Sequence, residues 1–149
     1  MKIAIASDHA GFELKEKIKK FLDDLGYKYK DFGTDSNESV DYPDYALKVA
    51  ESVANKDYDR GILICGSGIG MCMTANKVPG IRAALCHNVE TAKLSREHNG
   101  ANVLTFGARM IDEKTAKDMV KVWLKTDFLG DRHLRRVNKM KNIEKKYCK

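Results

Sequence analysis

No stretch of this sequence approaches the ~20 consecutive apolar residues needed to cross a bilayer, which argues against a membrane protein. Met1-Lys2-Ile3 leads straight into a strand-like segment rather than a charged and then apolar leader. No signal peptide is therefore expected, and the cytoplasm is the expected location. The four cysteines, Cys65, Cys72, Cys86 and Cys148, include no Cys-x-x-Cys pair, so neither a zinc site nor any other metal is expected. In a cytoplasmic protein such thiols stay reduced. Internal repeats, low-complexity tracts and long linkers are also absent. The nucleotide signatures are missing as well. Gly66-x-Gly68-x-Gly70 lacks the G-x-G-x-x-G spacing, follows the third strand-like run rather than the first, and no Gly-Lys-Ser/Thr occurs.

With 149 residues, 43% of them hydrophobic, residues 1–149 read as one domain with enough apolar material for a core. The net charge of +6 first suggests nucleic acid as a partner. Its distribution argues otherwise. Arg132 to Lys149 holds eight Lys or Arg against one Glu, a net of +7, which leaves residues 1–131 at −1. Tyr147 is the only aromatic residue in that basic tail, so a base-stacking surface is not expected. A solvated or anion-binding C-terminal helix fits better.

Strand and helix patterns alternate with short joints. Strands are expected at Ile3–Ser7, Tyr27–Phe32, Gly61–Cys65, Arg82–Cys86 and Asn102–Phe106. Between them, Leu14, Ile18, Phe21, Leu22 and Leu25 keep helical spacing up to Gly26, a C-cap residue. Pro43 opens a second helix carrying Ala46, Val49, Ala50 and Val53 on one face. Further helices are expected over Met71–Val78, around Val89–Glu97, and through Ala116, Met119, Val120, Trp123 and Leu124. Five βα units in series predict a Rossmann-like three-layer α/β/α sandwich with a five-stranded parallel sheet. The last helix, from about Asp131, has only a thin apolar stripe of Leu134, Val137 and Met140. It gains little by packing on its own chain and is expected to extend onto a partner subunit.

The chemistry concentrates where the third strand ends. Ile62-Leu63-Ile64-Cys65 runs into Gly66-Ser67-Gly68-Ile69-Gly70, a thiol at a strand's carboxyl end followed by a turn with few side chains. Ligands of open α/β sheets bind at such ends. A following helix aims its free N–H groups there and favours negative charge. A cysteine so placed loses its proton more readily than one in a core. Taken alone, Cys65 reads as a buried strand-end thiol; the glycine turn after it tips the balance to function. Cys72 and Cys86 are better explained as packing. Ser7-Asp8-His9-Ala10-Gly11 ends the first strand on the same sheet edge. Asp8 reads equally as a helix N-cap, but Asp8 with His9 facing a thiol strengthens the functional reading. His87 stays a weak candidate at another strand end. His98 by itself is an ordinary residue near a helix C-cap. Arg132 and Arg136, four apart, share a helix face and form either a solvated surface or a two-armed phosphate clamp.

Together with Asp41-Tyr42-Pro43-Asp44, Asn76-Lys77-Val78-Pro79-Gly80-Ile81-Arg82-Ala83, Glu97-His98-Asn99-Gly100-Ala101-Asn102, Gly107-Ala108-Arg109 and the Arg132/Arg136 pair, these motifs span nearly the whole chain in order. The sequence resembles the ribose-5-phosphate isomerase B family, which includes the galactose-6-phosphate isomerase subunits. The resemblance implies a Rossmann-like homodimer with shared active sites, or a tetramer built from it, interconverting aldose and ketose phosphates without metal or cofactor. It also implies ribose 5-phosphate and ribulose 5-phosphate as substrates, with allose 6-phosphate or galactose 6-phosphate as the alternatives. A nucleotide- or nucleic-acid-binding module is the alternative from another class. By the same resemblance Cys65 is the base, while Ser67 and the N–H groups of Gly66, Gly68, Ile69 and Gly70 stabilise an enediolate. His98 opens the sugar ring with help from Asp8. Tyr42 and Asn99 bind hydroxyls, and His9, Arg132 and Arg136 take the phosphate with Arg109. Another branch of the family uses a Glu just after the glycine loop. Met71 stands there, which points to the cysteine branch.

Overall fold

The computed structural model describes residues 1–148. Five strands and six helices follow in the order β1 (Lys2–Ser7), α1 (Phe12–Leu25), β2 (Lys28–Asp31), α2 (Tyr42–Ala54), β3 (Arg60–Cys65), α3 (Ile69–Ala75), β4 (Ala83–Leu85), α4 (Val89–Glu97), β5 (Val103–Gly107), α5 (Glu113–Lys125) and α6 (Arg132–Tyr147). The strands form one sheet in the order β2-β1-β3-β5-β4, every neighbouring pair parallel. The three-layer α/β expectation holds. No helix among the described residues is long and apolar enough to cross a membrane.

Alternation along the strands divides the interior into two cores. Ile3, Ile5, Ile62, Ile64, Leu104 and Phe106 face one side and pack with Leu14, Ile18 and Leu22 of α1 and with Met119, Val120 and Trp123 of α5. Ala4, Ala6, Leu63, Cys65 and Val103 face the other and meet Val49 and Val53 of α2 and Met71 of α3. A period of two puts successive side chains on opposite faces, so a sheet covered on both sides needs the nearly continuous apolar strands seen here. Full burial of each large apolar side chain contributes about 1.5–3 kcal/mol.

Local signals set the helix ends. Gly26 takes φ 81° and closes α1. The side chains of Asn88 and Asp112 accept the Thr91 and Thr115 N–H groups and cap α4 and α5. Two of the helices differ from expectation. Helix α3 starts earlier and stops earlier than Met71–Val78 because Gly68, at φ 81°, turns the chain directly into the helix. It ends where the Asn76 side chain turns to the Ala83 backbone, accepting its N–H at 2.8 Å and donating to its carbonyl at 3.0 Å. On α6, Val137 is buried but Leu134 and Met140 are 46% and 43% exposed; His133, one turn before Val137, is the other buried residue of that helix.

Candidate active site

Strands β1 and β3 lie side by side, with Ser7 paired to Ile64, while the chain leaves them towards opposite flanks of the sheet. Their carboxyl ends therefore open a crevice, the place where doubly wound sheets take ligands. Cys65, 4% exposed, ends β3 at this crevice. The Gly68 N–H donates to its Sγ at 3.1 Å, and Ser67 Oγ accepts the Ile69 N–H at 3.2 Å. The turn is pinned from β5, whose continuation donates Ala108 N–H to the Cys65 carbonyl at 2.8 Å and Arg109 N–H to the Gly66 carbonyl at 3.0 Å. Close approach requires glycine at 107, since a Cβ there would stand 2.5 Å from the Ser67 carbonyl carbon.

Two further side chains cover the turn. The Arg109 guanidinium lies against Gly66, where an added Cβ would meet Nη1 at 3.0 Å. The Tyr42 ring, at the start of α2, lies so close over Gly70 that any Cβ there would overlap it. The exposed Ile69 side chain stands at the rim.

Asp8 and His9 join from the end of β1. Asp8 is buried, and its Oδ1 accepts the Gly11 N–H at 3.0 Å. His9 Nδ1 accepts the Val40 N–H at 3.2 Å, which leaves Nε2 as the nitrogen free to contact a ligand. The segment from β2 to α2 that carries Val40 and Tyr42 is fastened by Lys15. This fully buried ammonium contacts both Asp31 oxygens, at 2.7 and 2.8 Å, and the Thr34 carbonyl. Burial works to raise the Asp31 carboxyl, but hydrogen bonds from Lys15, Lys19 and the Gly33 N–H outweigh it and hold the group below its ordinary range.

The remaining expected residues lie at the other edge of the sheet. Helix α4 runs back along the strands and ends at His98, its C-cap. Beside it the Asn99 carbonyl accepts from Arg82 Nε, just ahead of β4. The His98 ring stacks on His133 of α6, with centroids 4.2 Å apart and planes 14° from parallel. Arg132 and Arg136 flank His133 and are exposed. Burial, reinforced by His98 and the two arginines, pushes the His133 imidazole below its usual value against the pull of Asp131. His133 was not among the expected residues; its position four before Val137 on the one buried face of α6 is the signal for it.

One chain thus brings together Cys65, Ser67, the glycine turn, Asp8, His9, Tyr42 and Arg109 at the carboxyl edge. It groups His98, Asn99, Arg132 and Arg136 at the amino edge. Cys72, Cys86 and Cys148 are free, like Cys65, and burial pushes the Cys72 and Cys86 thiols up, as suits packing residues. No group of three or more His, Cys, Asp or Glu that would hold a metal ion is present among the described residues.

Fold and site define a doubly wound α/β protein with a thiol beside an anion-receptive turn at its switch point. The sequence matches the Ribose/Galactose Isomerase family over residues 3–140, and the chain belongs to that family. It is 46% identical to ribose-5-phosphate isomerase B of Escherichia coli over 145 residues, 97% of each chain. The structure superposes on ribose-5-phosphate isomerase B of Clostridium thermocellum with a TM-score of 0.97, 56% identity and 99% coverage of both chains. It is also similar to the Mycoplasma genitalium ribose-5-phosphate isomerase B solved with bound ribulose-5-phosphate, with a TM-score of 0.92, 44% identity, and coverage of 97% of this chain and 96% of that one.

Proposed function

We propose that the protein interconverts ribose 5-phosphate and ribulose 5-phosphate through an enediolate, in a site completed by a second copy of the chain. The Cys65 turn carries this reading: a nearly buried thiol that accepts the Gly68 N–H, in a member of this isomerase family. The Cys65 thiolate takes the proton from C2 of the open aldose and returns it to C1. Meanwhile a proton moves between the two oxygens, so no atom is gained or lost. Proton abstraction beside a carbonyl needs a base positioned within hydrogen-bond reach of the proton it takes, the role Cys65 fills.

Negative charge then grows on the substrate oxygen. The Ser67 hydroxyl and the first-turn N–H groups of α3, which no helical carbonyl reaches, stabilise it. Tyr42 and Asn99 bind sugar hydroxyls. His9, Arg109, Arg132 and Arg136 take the phosphate, whose binding energy positions the reacting end. His98 from the partner copy protonates the ring oxygen during opening, with Asp8 holding the sugar from the other side. The separation of the two groups of residues within one chain supports a homodimer with shared sites. Four free thiols fit the reducing cytoplasm.

A direct assay tests the substrate. Ribose 5-phosphate and allose 6-phosphate are supplied separately and the ketose phosphate product is measured. Faster turnover per active site on ribose 5-phosphate supports the proposal; a clear preference for the hexose phosphate replaces it with the corresponding hexose activity.

A further inference from the structure

The amino edge of the sheet holds a second concentration of cations that the proposed reaction leaves unused. Arg60 opens β3, Arg82 precedes β4 and Arg96 lies in the last turn of α4. With Lys56, Asp59 and Phe128 they line a cleft of about 310 Å³. Arg60 is 9% exposed, and Arg82 and Arg96 are half-buried. All three guanidinium groups are held by main-chain carbonyls. Arg60 Nη1 donates to Trp123 at 2.7 Å and Leu124 at 3.2 Å. Arg82 donates from Nε to Asn99 at 3.0 Å and from Nη2 to Gly100 at 2.9 Å. Arg96 donates from Nε to Thr126 at 3.0 Å and from Nη1 to Ala101 at 2.6 Å.

These neutral acceptors fix the groups but cancel none of their charge. Among the described residues, none of the three forms an ion pair with a carboxylate. The cleft lining holds four cations and the carboxylate of Asp59, while the carboxylates of Asp127 and Glu144 act on the arginines from beside it without an ion pair. A guanidinium carries five N–H donors. Arg60 Nε and Nη2, Arg82 Nη1 and Arg96 Nη2 have no protein acceptor among the described residues. Burial, and then the nearby Arg60 charge, lower Arg96 to about 10, with Asp127 opposing and Arg82 adding to the effect. Part of the arrangement is structural. Arg60 and Arg96 meet the last carbonyls around the end of α5 and approach the Trp123 ring at 5.4 and 5.9 Å. That role explains neither Arg82, nor the open cleft, nor the unused donors.

We propose that this cleft is a binding site for a phosphate-class oxyanion, distinct from the sugar-phosphate site. Partly desolvated guanidinium groups with free donors match the charge and geometry of phosphate oxygens. The site also touches the proposed chemistry at one point. Arg82 holds the Asn99 and Gly100 carbonyls, so an anion drawn to Arg82 sits directly behind the turn that presents His98 and Asn99.

Binding is tested by calorimetric titration with inorganic phosphate and, separately, with pyrophosphate. The buffer is of low ionic strength and free of other multivalent anions. The titrations use the wild-type chain and Arg132→Ala, which removes an arm of the sugar-phosphate clamp. Saturable binding that persists in Arg132→Ala is expected. Lys56→Asn should weaken it about three- to tenfold and Asp59→Asn should tighten it by a similar factor, the scale of one partly screened surface charge. Both variants suit the fold. Lys56 has φ 68°, where Asn is at ease, and an Asn at 59 still offers the acceptor that Lys2 N–H uses. Equal affinity for the two anions identifies a single phosphate group as the ligand. A tenfold preference for pyrophosphate identifies a diphosphate. Loss of all saturable binding in Arg132→Ala overturns the proposal, as does affinity that neither Lys56→Asn nor Asp59→Asn changes.

Discussion

If each site draws on two chains, two inactive variants should rescue one another. Cys65 pairs with Gly107 and Gly61 with Val103 across β3 and β5. At 3.3 Å per residue that span alone is about 13 Å, and His98 lies beyond it towards the amino edge. A general base and a ring-opening acid must each come within about 2.6–3.2 Å of the atoms they serve. The Cys65 and His98 of one chain cannot both do so on the same sugar. Cys65→Ala and His98→Asn are therefore each expected to be nearly inactive as homodimers. Equal amounts, mixed and allowed to exchange, give about half heterodimers. Each heterodimer holds one site with both lesions and one with neither, as an isologous interface requires. The mixture should recover about one quarter of wild-type activity per chain. Two affinity tags isolate the heterodimer, and ketose phosphate formation reports its activity. A purified heterodimer as inactive as its parents would refute the shared site.

Three other outcomes follow from the same geometry. Cys65→Ala should lose about 10²–10⁴-fold in turnover, the usual scale for a positioned general base, while Cys72→Ala stays active; steady-state kinetics on both variants checks this. Lys15→Met strips the Thr34 carbonyl of its buried donor and leaves Asp31 to Lys19 and the Gly33 N–H, and should destabilise the fold by about 1–3 kcal/mol, read from urea denaturation. The lowered His133 means that the unfolded chain binds its proton first. Its contribution to stability is therefore complete above about pH 6.5 and declines as pH falls through that unfolded value. The Asp31 contribution fails only at lower pH, below the ordinary carboxylate range. Unfolding free energies measured between pH 7.5 and 5 should fall for the wild type and fall less for His133→Asn; equal slopes would remove His133 as the cause.

Much of the fold is legible because each element carries its own pattern. The continuous apolar runs Ile3–Ala6 and Ile62–Cys65 suit only strands covered on both faces. Gly26 and the Val89–Glu97 spacing mark helix limits that the structure reproduces. The strand order is less accessible. Nothing in the short segment Ala83–Leu85 says that β5 inserts between it and β3. Strand β4 is also shorter than its apolar run, because the Asn102 side chain takes the Arg82 N–H and the Asn76 side chain takes that of Ala83. Side chains far apart in sequence end the ladder, and no local pattern announces them.

The carboxyl-edge group is legible for a related reason: its residues lie next to the strands that place them. Cys65 ends β3, Asp8 follows β1, and the glycines mark where backbone and ring approach too closely for a Cβ. The amino-edge group is not built that way. His98 is placed by the return of α4, and its ring is set by His133 on a helix 35 positions further along the chain. A charged helix with one thin apolar stripe shows that something must lie on it, but not that an imidazole supplies part of the contact. With Leu134, Met140 and Ile143 left exposed while His133 and Val137 turn inward, α6 offers two faces at once. One fixes His98 within the chain, and the other leaves apolar surface open on the side where the proposed second copy would pack.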